Sequence, residues 1–394
     1  MIQILHGSCA PGTCAVRDNM HRARKRVFVD LLKWDVPVVA GAFERDEFDT
    51  DDAIYLVSAA DDSTHLGSFR FLPTDRPHLL GKLFRDLCDG PVPSGPHILE
   101  ITRGCLSPDL RAAARLRLRN ELISAAVDAL AADLAAVFDL TPPATGPFYG
   151  NRTKRFHGLL GRSTKLDAFV RDPLILSIVE TILSPGCEAI QLNLTQAIEI
   201  LPGGREQPPH RDQDMWPVRQ PGLEYLVNVM WPFTHYTAEN GATVVWPKSH
   251  RRQDEIILDP SEAIFAEMQP GAALLFLGST LHAGGANRTS LSRRGMIISY
   301  SLGWLKPYEL PWLAYPPEIA RTFPRELAQL AGYRSHRPNL GTYEGRCASH
   351  LLSWDGAPQG AIDALRPEQE LLIEQYYAGA FDGVRNGNPA FRRA

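Results

Sequence analysis

The stretch E-Q-P-P-H-R-D-Q-D at 206–214 sets His210 two residues before Asp212. On a β-strand, residues i and i+2 share a face, so this imidazole and carboxylate converge on one point. They supply two corners of a facial triad, the ligand set that holds a non-haem iron(II) and leaves positions open. His282 follows the apolar segment Ala272–Phe276, where a third ligand is expected, and Arg293 comes eleven residues later with Arg294 behind it. A 2-oxo acid chelates such a metal through its carboxylate and keto oxygens. Its distal carboxylate then asks for a fixed guanidinium that grips bidentately. Two histidines and an aspartate also suit zinc in a hydrolase, but that chemistry has no use for Arg293.

A second set of chemistry-bearing residues occupies the first third of the chain. Arg24 and Phe28 precede Trp34, and the acidic run F-E-R-D-E-F-D at 43–49 supplies Glu44, Asp46 and Asp49. Arg70 lies in His65–Leu72, and Glu100 and Arg103 in I-L-E-I-T-R at 98–103. Acids and arginines on neighbouring strands can pair inside a cleft, where such networks tune pKa values and position a charged substrate.

The elements that must carry these groups follow from periodicity. Ile2–Leu5, Ile54–Ala59, His65–Leu72 and Ile98–Arg103 read as strands. Met20–Trp34 reads as an amphipathic helix with Val27, Leu31 and Trp34 on its core side and basic residues opposite. Leu110–Leu140 is rich in strong helix formers, and Pro142 and Pro143 end it. From Phe148 the pattern changes to a basic, glycine-punctuated loop, and Lys165–Leu183 reads as short helices around Pro173. Gln191–Leu201 alternates as a half-buried strand does. Tyr225–Phe233, Ala242–Trp246, Ala272–Phe276 and Gly295–Tyr300 continue the series, separated by Gly, Pro and Asn turns, which suggests a barrel or double-sheet jelly roll. Pro367–Tyr377 reads as a surface helix.

The totals agree with two modules, since 394 residues are long for one core. A net charge of −4 gives no case for nucleic acid or an anionic membrane surface. The six cysteines are scattered and form neither a disulfide framework nor a zinc knuckle. The first residues lack the pattern of a signal peptide, and no apolar run reaches the length of a membrane span, so a reducing cytoplasm is expected.

Two resemblances sharpen these expectations. The run R-x-x-x-F-x-x-x-x-x-W, the acidic cluster, Arg70 and the closing E-x-x-R resemble the acyl-homoserine-lactone synthases of the LuxI type, over residues 1–135. That resemblance implies an N-acetyltransferase-like α/β module, here incomplete, that joins S-adenosylmethionine to an acyl chain delivered on acyl carrier protein. It places Arg24, Phe28 and Trp34 near S-adenosylmethionine, with Glu44, Asp46, Asp49, Arg70, Glu100 and Arg103 as the surrounding network. Q-P-P-H-R-D, E-N-G-A-T, P-K-S-H, H-A-G-G-A-N, S-R-R-G and G-W-L-K-P resemble the phytanoyl-CoA dioxygenase (PhyH) family of iron(II)/2-oxoglutarate oxygenases, over residues 145–350 of a domain expected at 145–355. This implies a double-stranded β-helix in which His210, Asp212 and His282 hold iron(II) and Arg293 anchors 2-oxoglutarate. Thr243, Gln207 and Trp231 would form the inner wall, and Arg294 stands one place out of step. The expected whole is an α+β two-module chain with a helical tail at 356–394, oxidising a small organic or acyl substrate. The rivals are a lactone synthase with an accessory barrel and a non-catalytic binding module.

Overall fold

The computed structural model describes residues 2–7, 14–85, 92, 94–95, 99–218, 220–252, 254 and 259–379; Cys9, Cys88, Ile98 and the tail beyond 379 lie outside them. The N-terminal module is a four-stranded antiparallel sheet of order β1 (Ile2–His6), β4 (Ile54–Ala59), β5 (His65–Pro73) and β6 (Leu99–Leu106). A small hairpin, β2 (Val38–Val39) and β3 (Phe43–Glu44), and the short helices α1 (Cys14–Arg24) and α2 (Leu79–Leu83) complete it. Tyr55, Val57 and Ala59 alternate along β4 and pack with Leu5 and Leu72 against Val16 and Met20 of α1. This α1 begins earlier than periodicity indicates and widens into a π-helical turn at Lys25–Leu31. The expected core side is therefore corrected: Leu31 and Trp34 are exposed, and Val16, Met20 and Phe28 are buried.

A 29-residue helix, α3 (Ala112–Leu140), runs past the boundary expected at 135. Val127, Leu130, Leu134 and Phe138 share one core with Phe156, Trp231, Phe233 and Tyr300 of the barrel. At its other end, Leu118 reaches Gly67 of β5, where an added Cβ would stand 2.9 Å from Leu118 Cδ2.

The C-terminal module opens with strand β7 (Thr153–His157) and helices α4 (Leu166–Val170) and α5 (Pro173–Leu183). Pro173 sits in the first turn of α5, and the Asp172 carboxylate accepts from Leu174 N and Ile175 N, satisfying amides that a helix start leaves unpaired. Then follow β8 (Ile190–Ile200), β9 (Leu226–Pro232), β10 (Thr243–Val245), β11 (Ile264–Ala266), β12 (Leu274–Leu277), β13 (His282–Gly284) and β14 (Arg293–Leu302). They form a five-stranded sheet, β12-β9-β14-β8-β7, facing a three-stranded sheet, β11-β10-β13. Side chains alternate across the larger sheet: Arg293, Ile297 and Ser299 of β14 face the interior, while Met296, Ile298 and Tyr300 pack under the helices. Short helices α6 (Pro311–Ala314), α7 (Pro317–Ala320) and α8 (Arg325–Leu330), a hairpin of β15 (Thr342–Tyr343) and β16 (Arg346–Cys347), and α9 (Pro367–Tyr377) follow. No helix among the described residues is long and apolar enough to cross a membrane. Cys105, Cys187 and Cys347 are free thiols.

Candidate metal centre and the second charged cluster

His210 and His282 sit directly opposite each other in an antiparallel bridge, with His210 N donating to His282 O (2.9 Å) and His282 N to His210 O (3.0 Å). Residues so paired present their side chains on one face, and the ring centroids are 4.4 Å apart. Asp212 closes the group, its Oδ1 3.4 Å from His210 Nε2 and its Oδ2 3.5 Å from His282 Nε2. One ligand atom from each of the three residues lies within 4.8 Å of the others.

The surroundings select the metal-binding form of each side chain. His210 Nδ1 is 2.9 Å from Pro208 O, and His282 Nδ1 is 3.0 Å from Thr280 O. A proton on each Nδ1 satisfies those carbonyls and leaves the Nε2 lone pairs facing Asp212. Asn228 Nδ2 donates to Asp212 Oδ2 (2.9 Å), and Ser299 Oγ donates in turn to Asn228 Oδ1. Burial disfavours the Asp212 carboxylate, but His282 and His210 outweigh it and hold the group well below the usual carboxylate range. Two imidazoles and one ionised carboxylate on a shared face fit an octahedral divalent metal with positions left open. Arg211, between the two ligands in sequence, is buried and donates to Ser279 O (3.0 Å) and Arg252 O (3.0 Å), tying the ligand-bearing turns together.

The triad opens onto a cavity of about 120 Å³ within the barrel, lined also by Arg293, Thr243, Gln207, Arg155, Tyr149 and Tyr308. Gly241, at φ +99°, brings Thr243 to this wall, and a Cβ there would stand 2.8 Å from Gly285 O. Arg293 is buried, its guanidinium stacks on Tyr236 with Cζ 3.5 Å from the ring centroid, and its Nε has no acceptor. Arg294 points the other way, to Glu199 (2.8 Å) and the Phe138 ring of α3. This is the alternation that one step along a strand imposes.

Trp231 is corrected. It was expected on the inner wall, but β9 turns it outward, where it packs on Phe169 at a centroid distance of 5.2 Å. Arg155 is the residue that sequence reasoning missed. It lies on β7, in the segment expected to be a basic loop, and enters the cavity from the side of Gln196, donating to Gln196 Oε1 (2.8 Å). Its Nε, like that of Arg293, has no acceptor, and burial holds its pKa below the ordinary value.

In the N-terminal module the charged residues meet as expected, with one exception. Arg24 pairs with Glu44 and with Asp49 (2.9 Å), Arg70 with Asp46 (2.6 Å) and Asp49 (3.0 Å), and Arg103 with Glu44 (2.9 Å) and Asp46 (2.9 Å). Phe28 and Trp34 stack nearly parallel, centroids 4.9 Å apart, and Arg103 lies over Phe28. Glu100 instead accepts from Leu79 N (2.8 Å) and Leu80 N (3.0 Å) at the start of α2. Among the described residues, no arginine of the network forms an ion pair with it.

These two clusters coincide with two families. Residues 116–295 match the family model of phytanoyl-CoA dioxygenase (PhyH), and residues 13–137 match that of autoinducer synthase. Through its barrel the chain belongs to the phytanoyl-CoA dioxygenase family. It is 32% identical over 204 residues to the dioxygenase FrzG of Cladobotryum sp, covering 48% of this chain and 67% of that one. It is 42% identical over 82 residues to an acyl-homoserine-lactone synthase of Ralstonia solanacearum, covering 20% of this chain and 40% of that protein. The chain thus spans two fifths of the length of that synthase. Among solved structures, HygX from Streptomyces hygroscopicus with nickel and 2-oxoglutarate bound is similar at 14% identity and a TM-score of 0.37, over 47% of this chain and 82% of that one.

Proposed function

We propose that the barrel is an iron(II)/2-oxoglutarate-dependent dioxygenase that oxidises a small organic substrate. The observation that carries this reading is the meeting of His210, Asp212 and His282 in a cavity that also holds two guanidinium groups with orphaned Nε atoms. When bound, the metal supplies oxidation of a C–H bond by dioxygen, one oxygen atom going to substrate and the other to succinate as carbon dioxide leaves. The chain's own residues do the rest. Arg293 and Arg155 are two fixed cations for the two carboxylates of a dicarboxylic 2-oxo acid, and a planar guanidinium holds each in register. Asn228 fixes the Asp212 carboxylate, and the two backbone carbonyls fix the imidazoles, so the ligands are oriented before metal arrives. Purified protein with iron(II) is expected to convert 2-oxoglutarate to succinate, and Asp212→Ala to abolish both metal retention and succinate. Undiminished turnover by that variant overturns the assignment.

For the N-terminal module, the stacked Phe28–Trp34 pair beside the arginine–carboxylate network supports a second reading. It is an N-acetyltransferase-like site for S-adenosylmethionine, with acyl carrier protein as partner and a lactone as product. Mass spectrometry of culture medium with wild type and Trp34→Ala tests it, and absence of any lactone from wild type counts against it.

A further inference from the structure

Each formally charged side chain lining the barrel cavity has a task under the oxygenase reading, on which the following rests. Asp212 and the two histidines take the metal, and Arg293 and Arg155 take the co-substrate; the other lining side chains among the described residues are uncharged. A space of about 120 Å³ has room for about four waters at their liquid volume of roughly 30 Å³ each. The co-substrate fills most of it, so the body of the substrate stays at the opening.

The side chains there share a chemistry. Phe148, Met215 and Tyr308 are 41%, 40% and 45% exposed. One exposed apolar side chain is ordinary, but several around the opening of a cavity mark a binding surface. Phe148 stands edge-on to His210, ring centroids 4.7 Å apart, so a group resting on that ring lies beside the metal ligands. The Tyr149 and Tyr308 hydroxyls bond to each other. One donates and the other accepts, which leaves the acceptor's own proton to give to a ligand. Burial and the neighbouring phenol push the Tyr308 hydroxyl up to about 12, so it keeps its proton at neutral pH.

We propose that the substrate is an uncharged, largely apolar molecule carrying one carbonyl or hydroxyl oxygen. Its apolar body rests on Phe148 and Met215, its oxygen accepts from the Tyr149–Tyr308 pair, and a C–H bond near that oxygen faces the triad. Among the described residues a charged headgroup finds no counter-ion left in the lining, and it loses hydration on entry.

The test uses probes that share one carbon skeleton and differ in charge: methyl decanoate and decanamide against decanoate and decylammonium. Full-length protein with iron(II) and 2-oxoglutarate is assayed for succinate release, and binding is read separately by saturation-transfer NMR on protein loaded with nickel and 2-oxoglutarate. The neutral probes are expected to bind and to raise succinate release about fivefold over the basal rate, and the charged ones to do neither. Tyr308→Phe is expected to weaken the neutral probes about tenfold, the effect of one hydrogen bond. Phe148→Ala is expected to weaken them with no gain by the charged probes. Equal or stronger binding of decanoate or decylammonium overturns the proposal, as does failure of both neutral probes to bind. Neutral probes that bind selectively without any succinate forming uphold the ligand class and sink the oxygenase reading instead.

Discussion

Replacing Arg293 by methionine is expected to move stability and co-substrate binding in opposite directions. The guanidinium is buried, its Nε has no acceptor, and its neighbour is the face of Tyr236. Burying a charge costs several kcal/mol when it is not fully paired, and a desolvated cation–π contact returns only about 2 kcal/mol. Methionine fills much of the same space without that cost, so the ligand-free barrel gains about 1–2 kcal/mol. For a unit of this size that corresponds to a melting temperature higher by roughly 2–8 °C. Binding runs the other way. Two charge-assisted hydrogen bonds to a carboxylate are worth about 1.5 kcal/mol each at the low end, and their loss weakens 2-oxoglutarate by roughly 150-fold. At a concentration 100 times the wild-type Kd, the ligand stabilises wild type by about 2.7 kcal/mol, while the variant gains about 0.3 kcal/mol. Thermal melts of nickel-loaded protein with and without 2-oxoglutarate read both quantities. A variant that melts below wild type when ligand-free, yet keeps the ligand-induced shift, refutes the reasoning at both steps.

Four further outcomes follow from other contacts. Asn228→Ala removes the donor to Asp212 Oδ2 and is expected to lower metal affinity by about 10–100-fold with the fold intact, as read by cobalt(II) titration and circular dichroism. Asp49→Ala takes one of two carboxylate partners from each of Arg24 and Arg70 and is expected to cost about 3 kcal/mol in denaturant unfolding, the low end for breaking a buried pair. The pH dependence has a definite sign: burial alone would raise Asp49, but Arg24 and then Arg70 hold its carboxyl well below the usual range. That contribution is complete above the unfolded pKa of about 3.9 and lost as the pH falls below it, so the gap between wild type and Asp49→Asn narrows from about pH 5 towards pH 1. Phe138→Ala empties a site shared by Phe156 and Phe233, for a calorimetrically measurable loss of about 3–5 kcal/mol.

What the sequence revealed depended on whether one side chain or its environment carried the signal. The triad was legible because His282 and Arg293 follow H-x-D at workable spacing; the two histidines meet through the backbone bridge, and Asp212 joins them from the first turn of a short 3-10 helix, Asp212–Met215, where a strand was expected. Arg293 was told apart from Arg294 because a strand sends neighbours to opposite faces. Trp231 was placed on the wrong side because Leu226–Pro232 is buried on both faces, and a run apolar throughout shows no alternation. Arg155 was hidden for the converse reason. In T-K-R-F-H at 153–157 both faces carry charge, Lys154 reaching Phe138 O outside and Arg155 the cavity inside. Glu100 could not be separated from its neighbours by type, since only the position of α2 shows that backbone amides claim it.

The overlap of the two family matches, residues 116–137, falls wholly inside α3. One stretch of chain thus answers to both family models, at the end of one match and the start of the other. The seam is therefore a stiff rod and not a tether, and it cannot be cut without wounding a half. A fragment starting after Leu140 would bare the greasy flank on which Leu130, Leu134 and Phe138 now lie, whereas one that keeps the whole rod carries its own cover.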